Sequence, residues 1–229
     1  LDYYDLECKA TNIERTFRIN GVVPFNEVRN LLLTKSWVDD YKYDENGNVI
    51  FAKDGSGNDR RPSKNQSSSW KAYDMADPTG YSSDSFYFYL EAGENEIGFS
   101  GQKEPVAFSN IRLCKYEKKL TYSEYLSDIH AKYSPAPAEA YIYMEAEIAS
   151  AVSDGSLYPV NDRSSAITSP QDPAYSVLNS IGGDTWQTMG QWIEWTFTVP
   201  QGMAGIYKID TRFMQGALEG LYVSRRLYI

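Results

Sequence analysis

The stretch Gly190-Gln-Trp-Ile-Glu-Trp-Thr-Phe-Thr-Val-Pro200 decides the fold class, together with the run Gly205-Ile-Tyr-Lys-Ile-Asp-Thr-Arg-Phe213 that follows it. Aromatic and β-branched residues occupy every second position from 193 to 199, which is the period of a strand with one buried face. Pro200 ends this strand, and a turn containing two glycines leads into the second alternating run. The stretch therefore predicts two consecutive antiparallel strands.

A third strand is predicted upstream, at Tyr-Met-Glu-Ala-Glu-Ile (143–148). In this strand Glu145 and Glu147 share one face, because side chains alternate between the faces of a sheet. Two neighbouring carboxylates repel each other unless a cation lies between them.

Composition limits the partners of the chain. Its 229 residues allow one large or two small domains, and its mean hydropathy of −0.50 is typical of a globular chain. The net charge of −9 disfavours nucleic acid and anionic membranes as partners, and no apolar run reaches the roughly 18–20 residues that span a bilayer. The chain begins at Leu1 without a signal peptide, so we expect a fragment of a longer protein.

The two cysteines are not expected to pair. Cys8 shares a strand face with Leu6, whereas Cys114 lies opposite Ile111 and Leu113. If both apolar faces point inward, the two thiols point to different sides of their strands, which predicts that no disulfide forms.

Three blocks follow one another along the chain. Residues 1–118 are strand-like, with alternating runs at 2–10, 15–20, 85–90, 95–100 and 106–114, and with a polar hairpin that turns at Asn46-Gly47. Residues 119–139 form a linker, in which Thr121-Tyr-Ser-Glu124 predicts the start of a helix that docks on a neighbour, followed by a Pro/Ala spacer. Residues 140–229 are again rich in β patterns.

An internal repeat is predicted from the two ends of the chain. The run at 4–10 matches 207–213 in its charge alternation, and Arg15-Thr-Phe-Arg-Ile19 matches Arg225-Arg-Leu-Tyr-Ile229. On this interpretation, residues 1–118 are the rear part of one β-sandwich repeat and residues 140–229 are the front part of the next. A sandwich cut in half exposes an apolar face, so we expect the two parts to pack together as one composite sandwich.

Taken together, these segments resemble the carbohydrate-binding modules of families 6 and 35, which are antiparallel jelly-roll β-sandwiches of the galactose-binding kind. The resemblance rests on the Glu-Ala-Glu strand, the 190–213 stretch, and the run from Phe88 to Ile97 with Gly98-Phe-Ser-Gly101 and Ser109-Asn-Ile-Arg-Leu113. More loosely, the order resembles the duplicated accessory domains of extracellular solute-binding proteins of Gram-positive ABC-type sugar importers. It implies a mainly β sandwich with one linker helix, located outside the cell or at its surface.

The resemblance also implies a structural calcium ion. Carried over by position, its ligands are Glu145 and Glu147, with Asn110 in place of the usual acidic residue of the final strand. The alternative is a pair of surface glutamates on an edge strand. A second calcium loop at Asp44-x-Asn46-x-Asn48 is disfavoured, because its Gly stands at the fourth position and no Glu closes the loop.

Sugar binding in such modules uses exposed aromatic side chains. The candidates are Trp186, Tyr158, Trp192 and Trp70, with Asn161, Asp162 and Arg163 as partners for sugar hydroxyls. Trp186 is preferred, because the glycine-containing loop at 182–190 gives it no periodic reason to be buried. The alternative for Asp162 and Arg163 is that they hold a long loop in place.

Three function classes remain open. The first is a non-catalytic module that binds an oligosaccharide or polysaccharide next to the other domains of its parent protein. The second is a structural spacer without a ligand, and the third is a fragment of a glycoside-acting enzyme, which would need two carboxyl groups at a defined separation. His130 is the only histidine, and no nucleophile, zinc or phosphate motif is present in the sequence, which favours the first two.

Overall fold

The computed structural model describes residues 1–7, 12–77, 82, 84–163, 168–214 and 223–227. By internal contacts the chain divides into two compact units. The first unit contains residues 1–119 and 142–198, and the second contains residues 120–141 and 199–229. The described residues form several antiparallel sheets and one α-helix, so the predicted mainly β, sandwich-like fold class is confirmed.

The strands are short, apart from two that each have seven residues. In chain order they are β1 (Asp2–Tyr4), β2 (Ile13–Ile19), β3 (Leu31–Leu33), β4 (Trp37–Asp39), β5 (Lys42–Tyr43), β6 (Val49–Ile50), β7 (Lys64–Gln66), β8 (Trp70–Ala72), β9 (Ile97–Lys103), β10 (Ala107–Phe108), β11 (Ala151–Val152), β12 (Pro159–Val160), β13 (Ser180–Ile181) and β14 (Ile193–Glu194). Two 3₁₀ helices span Asn26–Asn30 and Gly183–Thr185, and the α-helix α1 spans Tyr122–Lys132.

Two three-stranded sheets of the first unit share a core. Their strand orders are β10-β1-β8 and β3-β2-β9. Side chains from both sheets meet in one buried cluster formed by Leu1, Tyr3, Ile13 and Leu33. A second cluster around Phe17 is completed by aromatic side chains, including Phe88 and Phe99 with ring centroids 4.9 and 5.3 Å from that of Phe17. This packing of two sheet faces is the sandwich-like part of the fold.

A third sheet joins distant parts of the sequence. Its order is β14-β11-β4-β7, and Val152 of β11 pairs with Trp37 of β4. Strand β4 lies in the predicted first block and β11 in the predicted third block. A separate cluster of Ala149, Val152 and Leu157 is buried beside this sheet.

The polar hairpin is confirmed. Strands β5 and β6 pair antiparallel around a turn in which Gly47 has a φ of 84°, a conformation that favours glycine. The Asp44 carboxylate accepts hydrogen bonds from the main chain of Asn46 and Asn48 and from the Asn48 side chain. Because these donors engage both carboxylate oxygens, the turn explains this sequence pattern without a calcium ion.

Buried charges connect the strands of the first unit. The Asp5 carboxylate has no exposed surface; it accepts hydrogen bonds from the main-chain N–H of Ser36 and Ser69 at 3.1 and 2.8 Å and pairs with Lys71 at 2.5 Å. A second buried ion pair joins Lys35 and Glu104 at 2.7 Å. Removing one partner of such a pair leaves an uncompensated buried charge, so these groups hold the strands in one arrangement.

Several predicted strands are wrong. In residues 190–213 only Ile193–Glu194 forms a strand, and the predicted second strand at 205–213 is irregular apart from an isolated bridge at Ile206. Residues 143–148 form no strand either, since the chain turns at 146–147. The physical reason is that alternation marks which side chains can share a face but does not supply a partner strand.

The second copy of the predicted repeat does not reproduce the elements of the first. Residues 2–4 and 13–19 lie in strands β1 and β2, whereas residues 207–213 and 225–227 are irregular. Residues 228–229 and Cys8 lie outside the described residues, and Cys114 is exposed.

The second unit contains α1, and its predicted capping box is confirmed. The Thr121 hydroxyl accepts from the main-chain N–H of Glu124, and the Glu124 carboxylate accepts from the N–H of Thr121. No residue of the helix is buried, and the docking of its apolar face on a neighbour stays a prediction. Among the described residues no helix is both long and apolar enough to cross a bilayer.

Candidate functional site

The most accessible tryptophan among the predicted sugar-binding residues is Trp70. It lies on β8, paired with Tyr4 of β1, and 57% of its surface is exposed. The two ring centroids are 5.5 Å apart. Tyr3, the neighbour of Tyr4, is buried in the core, so alternation places Tyr4 and Trp70 on the outer side of the sheet.

Polar groups lie on the same side of this sheet. Asp2 is two residues from Tyr4 along β1, and side chains at this spacing point to one face about 7 Å apart. Its carboxylate accepts from the Arg112 guanidinium at 2.7 Å and from the Asn110 side-chain amide at 3.3 Å. We call these five residues (Asp2, Tyr4, Trp70, Asn110 and Arg112) the Trp70 face.

The Trp70 face combines two kinds of contact. The exposed indole ring of Trp70 and the half-buried phenol ring of Tyr4 offer apolar surfaces for stacking, while the carboxylate, amide and guanidinium groups exchange hydrogen bonds with hydroxyl groups. Its main chain is fixed, because Asp2 exchanges main-chain hydrogen bonds with Ser109 and Asn110 at 3.0 and 2.9 Å. The arrangement suits a flat polyhydroxylated ligand.

A second candidate region is a pocket in the loop between β12 and β13. Its volume is about 410 Å³. Six polar residues line it, with Pro173 and Val177 as the apolar part of the wall: Asn161, Asp162, Arg163, Gln171, Asp172 and Asn179. The structure thus brings three predicted hydroxyl-binding residues together, while Tyr158 does not line this pocket.

Several polar groups of the loop pocket are engaged within the loop itself. Arg163 donates to the carbonyl oxygens of Asp172, Pro173 and Tyr175 at 3.2–3.4 Å. Asn179 accepts from the main-chain N–H of Asp162 and donates to its carbonyl oxygen, both at 2.8 Å. The bonds from Arg163 and Asn179 hold the loop in shape, which agrees with the alternative interpretation of Arg163 as a residue that holds a long loop in place.

The other predicted aromatic residues are half-buried. One face of the Tyr158 ring is covered by Arg61, whose guanidinium carbon lies 3.6 Å from the ring centroid. The Trp192 indole donates to the Thr34 hydroxyl at 2.9 Å, and Trp186 packs against the Leu157 cluster. Trp70 therefore presents more open ring surface than Trp186, the residue preferred from sequence.

The predicted calcium ligands form no common donor set in the described part of the chain. Asn110 is hydrogen-bonded to Asp2 and Ser109, whereas Glu147 is buried in the turn at 146–147. No group of three described acidic, histidine or cysteine side chains is arranged to hold a metal ion. Calcium prefers six to eight oxygen ligands, which these described residues do not supply together. The ion therefore stays a prediction from the resemblance, and the function proposed below does not depend on it.

Burial changes the acid–base behaviour of Glu147. Only 3% of the residue is exposed, and this desolvation raises the pKa of its carboxyl to about 7, with a further contribution from the neighbouring charge of Glu145. The Tyr41 hydroxyl lies 3.2 Å from the carbonyl oxygen of Glu147, and burial also raises the pKa of Tyr41. The two glutamates are therefore neighbours, but in a turn rather than on a strand.

Sequence reasoning missed Asp2, Tyr4 and Arg112 as members of the Trp70 face. Alternation between the buried Tyr3 and its neighbours could have assigned Asp2 and Tyr4 to an outer face. No local signal indicated that Arg112 lies beside them, because that contact joins residues 110 positions apart.

Comparisons with known proteins identify no relative. No protein-family model matches the chain, and neither a curated protein nor a solved structure is significantly similar to it. The resemblance to carbohydrate-binding modules therefore rests on the quoted residues alone.

Proposed function

We propose that this chain is a non-catalytic carbohydrate-binding module that holds an oligosaccharide or polysaccharide on the Trp70 face. The observation that carries the proposal is an exposed indole paired with a tyrosine beside a fixed carboxylate, amide and guanidinium group. The residue-level resemblance supports the same function and extends it to an extracellular accessory domain of a sugar-uptake or polysaccharide-handling protein.

Binding to an oligosaccharide array tests the proposal, with affinities then measured by calorimetry. We expect Trp70→Ala to weaken binding at least about tenfold, because it removes the stacking surface. Tyr89→Ala is the matched control, since Tyr89 is an aromatic residue with 85% of its surface exposed outside the Trp70 face. Binding that survives Trp70→Ala unchanged would place the ligand elsewhere, and the absence of any bound glycan would reject the function.

A structural spacer is the second candidate. The internal hydrogen bonds of the loop pocket favour it, because Arg163 and Asn179 are used to hold the loop rather than a ligand. An array without any bound glycan supports this alternative. Release of reducing sugar from polysaccharide by the purified chain would instead support the enzyme class.

A further inference from the structure

We propose a second binding site, for an oxyanion, in a groove of about 550 Å³ beside β2 and β9. Its lining residues are Thr16, Arg18, Asn26, Arg29, Asn30 and Gln102. The ligand class is a carboxylate, sulfate or phosphate group carried by a small polar molecule. This site is separate from the Trp70 face and does not depend on the function proposed for it.

The charge of the groove differs from that of the whole chain. The protein has 31 acidic and 22 basic residues, yet the described residues that line the groove include two arginines and no carboxylate. The ion pairs of the described residues involve neither Arg18 nor Arg29. Two guanidinium groups without an acidic partner favour a negatively charged ligand.

Strand geometry places Arg18 in the groove. Phe17 is buried in the core, so alternation along β2 directs Thr16 and Arg18 to the opposite side of the sheet. The cross-strand neighbour of Arg18 is Gly98, which has no side chain to fill the space above it. Arg18 donates to the Ser100 hydroxyl and the Gly21 carbonyl at only 3.5 and 3.4 Å, so its guanidinium keeps capacity for a stronger acceptor.

The second arginine is held against the same surface through its main chain. The carbonyl oxygen of Arg29 accepts from the Thr16 hydroxyl at 2.8 Å and from the Gln102 amide at 3.0 Å. Gln102 also donates to the Thr16 hydroxyl, which closes a small network. Among the described residues the Arg29 guanidinium has neither a hydrogen-bond partner nor an ion-pair partner, so its anchored backbone presents an available cation.

The chemistry of these groups selects an oxyanion over a neutral sugar. A guanidinium group binds a carboxylate, sulfate or phosphate through two parallel hydrogen bonds, and Asn26 and Asn30 add neutral donors. A neutral hydroxyl compound gains no charge-assisted bond from either arginine. Because the groove is open to solvent, binding is expected to weaken as salt rises.

Titrations followed by NMR chemical shifts test the site. The probes are sodium sulfate, sodium phosphate, glucuronate and the neutral analogue glucose, each added at constant ionic strength. We expect saturable binding of at least one oxyanion and none of glucose. Arg18→Gln and Arg29→Gln should each lower the affinity for the oxyanion at least about tenfold. The control Arg60→Gln removes the same charge from an exposed arginine outside the groove and should change affinity less than about twofold.

Each outcome decides the assignment. Tighter binding of glucuronate than of sulfate and phosphate supports the site with an acidic sugar as ligand, and the reverse order supports it with a free inorganic anion. If Arg60→Gln loses as much oxyanion affinity as Arg18→Gln and Arg29→Gln, the proposal is overturned, because the anion then responds to the overall charge of the protein rather than to the groove. Equal binding of glucose and glucuronate, or no saturable binding at all, also overturns it.

Discussion

The β2–β9 pair and the 190–213 stretch carry the same kind of alternating pattern but have different structures. Strand β2 pairs with β9 from Glu14 to Ile19, and the side chain of Phe17 is buried under other aromatic rings. In the 190–213 stretch only two residues form a strand, and Phe197 is 50% exposed. The difference shows that alternation becomes a long strand only where a partner strand and a second apolar layer meet it.

The largest expected effect contrasts the two phenylalanines directly. Phe17→Ala should destabilise the protein by about 3–5 kcal/mol, because it leaves a cavity among the core rings. Phe197→Ala should change the free energy of unfolding by less than about 0.5 kcal/mol, since the side chain is half exposed. Urea unfolding followed by tryptophan fluorescence measures both changes.

Phe17→Leu keeps the comparison measurable if the alanine variant does not fold. It keeps an apolar side chain at the site and should lose less stability than Phe17→Ala. Equal losses at positions 17 and 197 would contradict the structural contrast.

The next effect concerns Glu147, in the segment predicted as the companion strand of 190–213. Its folded-state pKa of about 7 lies above the ordinary value of 4.5, so the folded protein retains a proton that the unfolded chain releases. Stability should therefore fall as pH rises from about 4.5 to 7 and stay level above that. Glu147→Gln should remove this dependence and be more stable than the wild type at pH 8, by at most about 3 kcal/mol.

Thermal unfolding at pH 4, 6 and 8 checks this expectation, with the exposed Glu194→Gln as control. A parallel series with calcium or a chelator tests the ion implied by the family resemblance. If calcium binds at Glu145 and Glu147, it will stabilise the wild type at pH 8 and not Glu147→Gln. Unchanged pH dependence in Glu147→Gln would show that this carboxyl is not the group responsible.

The smallest effect tests a sequence signal that needs no distant partner. Thr121→Ala should destabilise α1 by about 1 kcal/mol, because the N–H of Glu124 loses its acceptor. Faster amide hydrogen exchange in residues 122–132 measures the loss. Ser127→Ala, on the same helix away from the cap, should leave amide exchange unchanged or slow it. Faster exchange in Ser127→Ala would show that the helix is weakened by substitution away from the cap as well, which would contradict the capping explanation.

Sequence reasoning succeeded where the decisive contacts are local. The Asn46-Gly47 turn and the Thr121 capping box each depend on residues within four positions of one another. It also recognised the alternation of β2 and β9, although it could not say that these two strands pair. Local chemistry determines such elements almost independently of the rest of the chain.

The strands and site residues that could not be predicted from the sequence depend on contacts between distant residues. The run at 205–213 alternates like a strand but forms no ladder of hydrogen bonds with a partner strand. Residues 143–148 contain a turn, in which Glu147 is buried. For the candidate site, sequence supplied Trp70 and Asn110, but it preferred Trp186 and assigned Asn110 to a metal. Exposure of a tryptophan depends on which side chains pack around it, and one sequence gives no direct measure of that.

The buried Asp5 carboxylate has a kinetic consequence. Its partners Ser36, Ser69 and Lys71 lie 31 to 66 positions further along the chain, so the carboxylate can be satisfied only after several segments have met. Closing such loops costs conformational entropy before the contacts compensate for it. Folding of the first unit is therefore expected in the slow range of β-rich domains, about milliseconds to seconds, with Asp5 desolvated late.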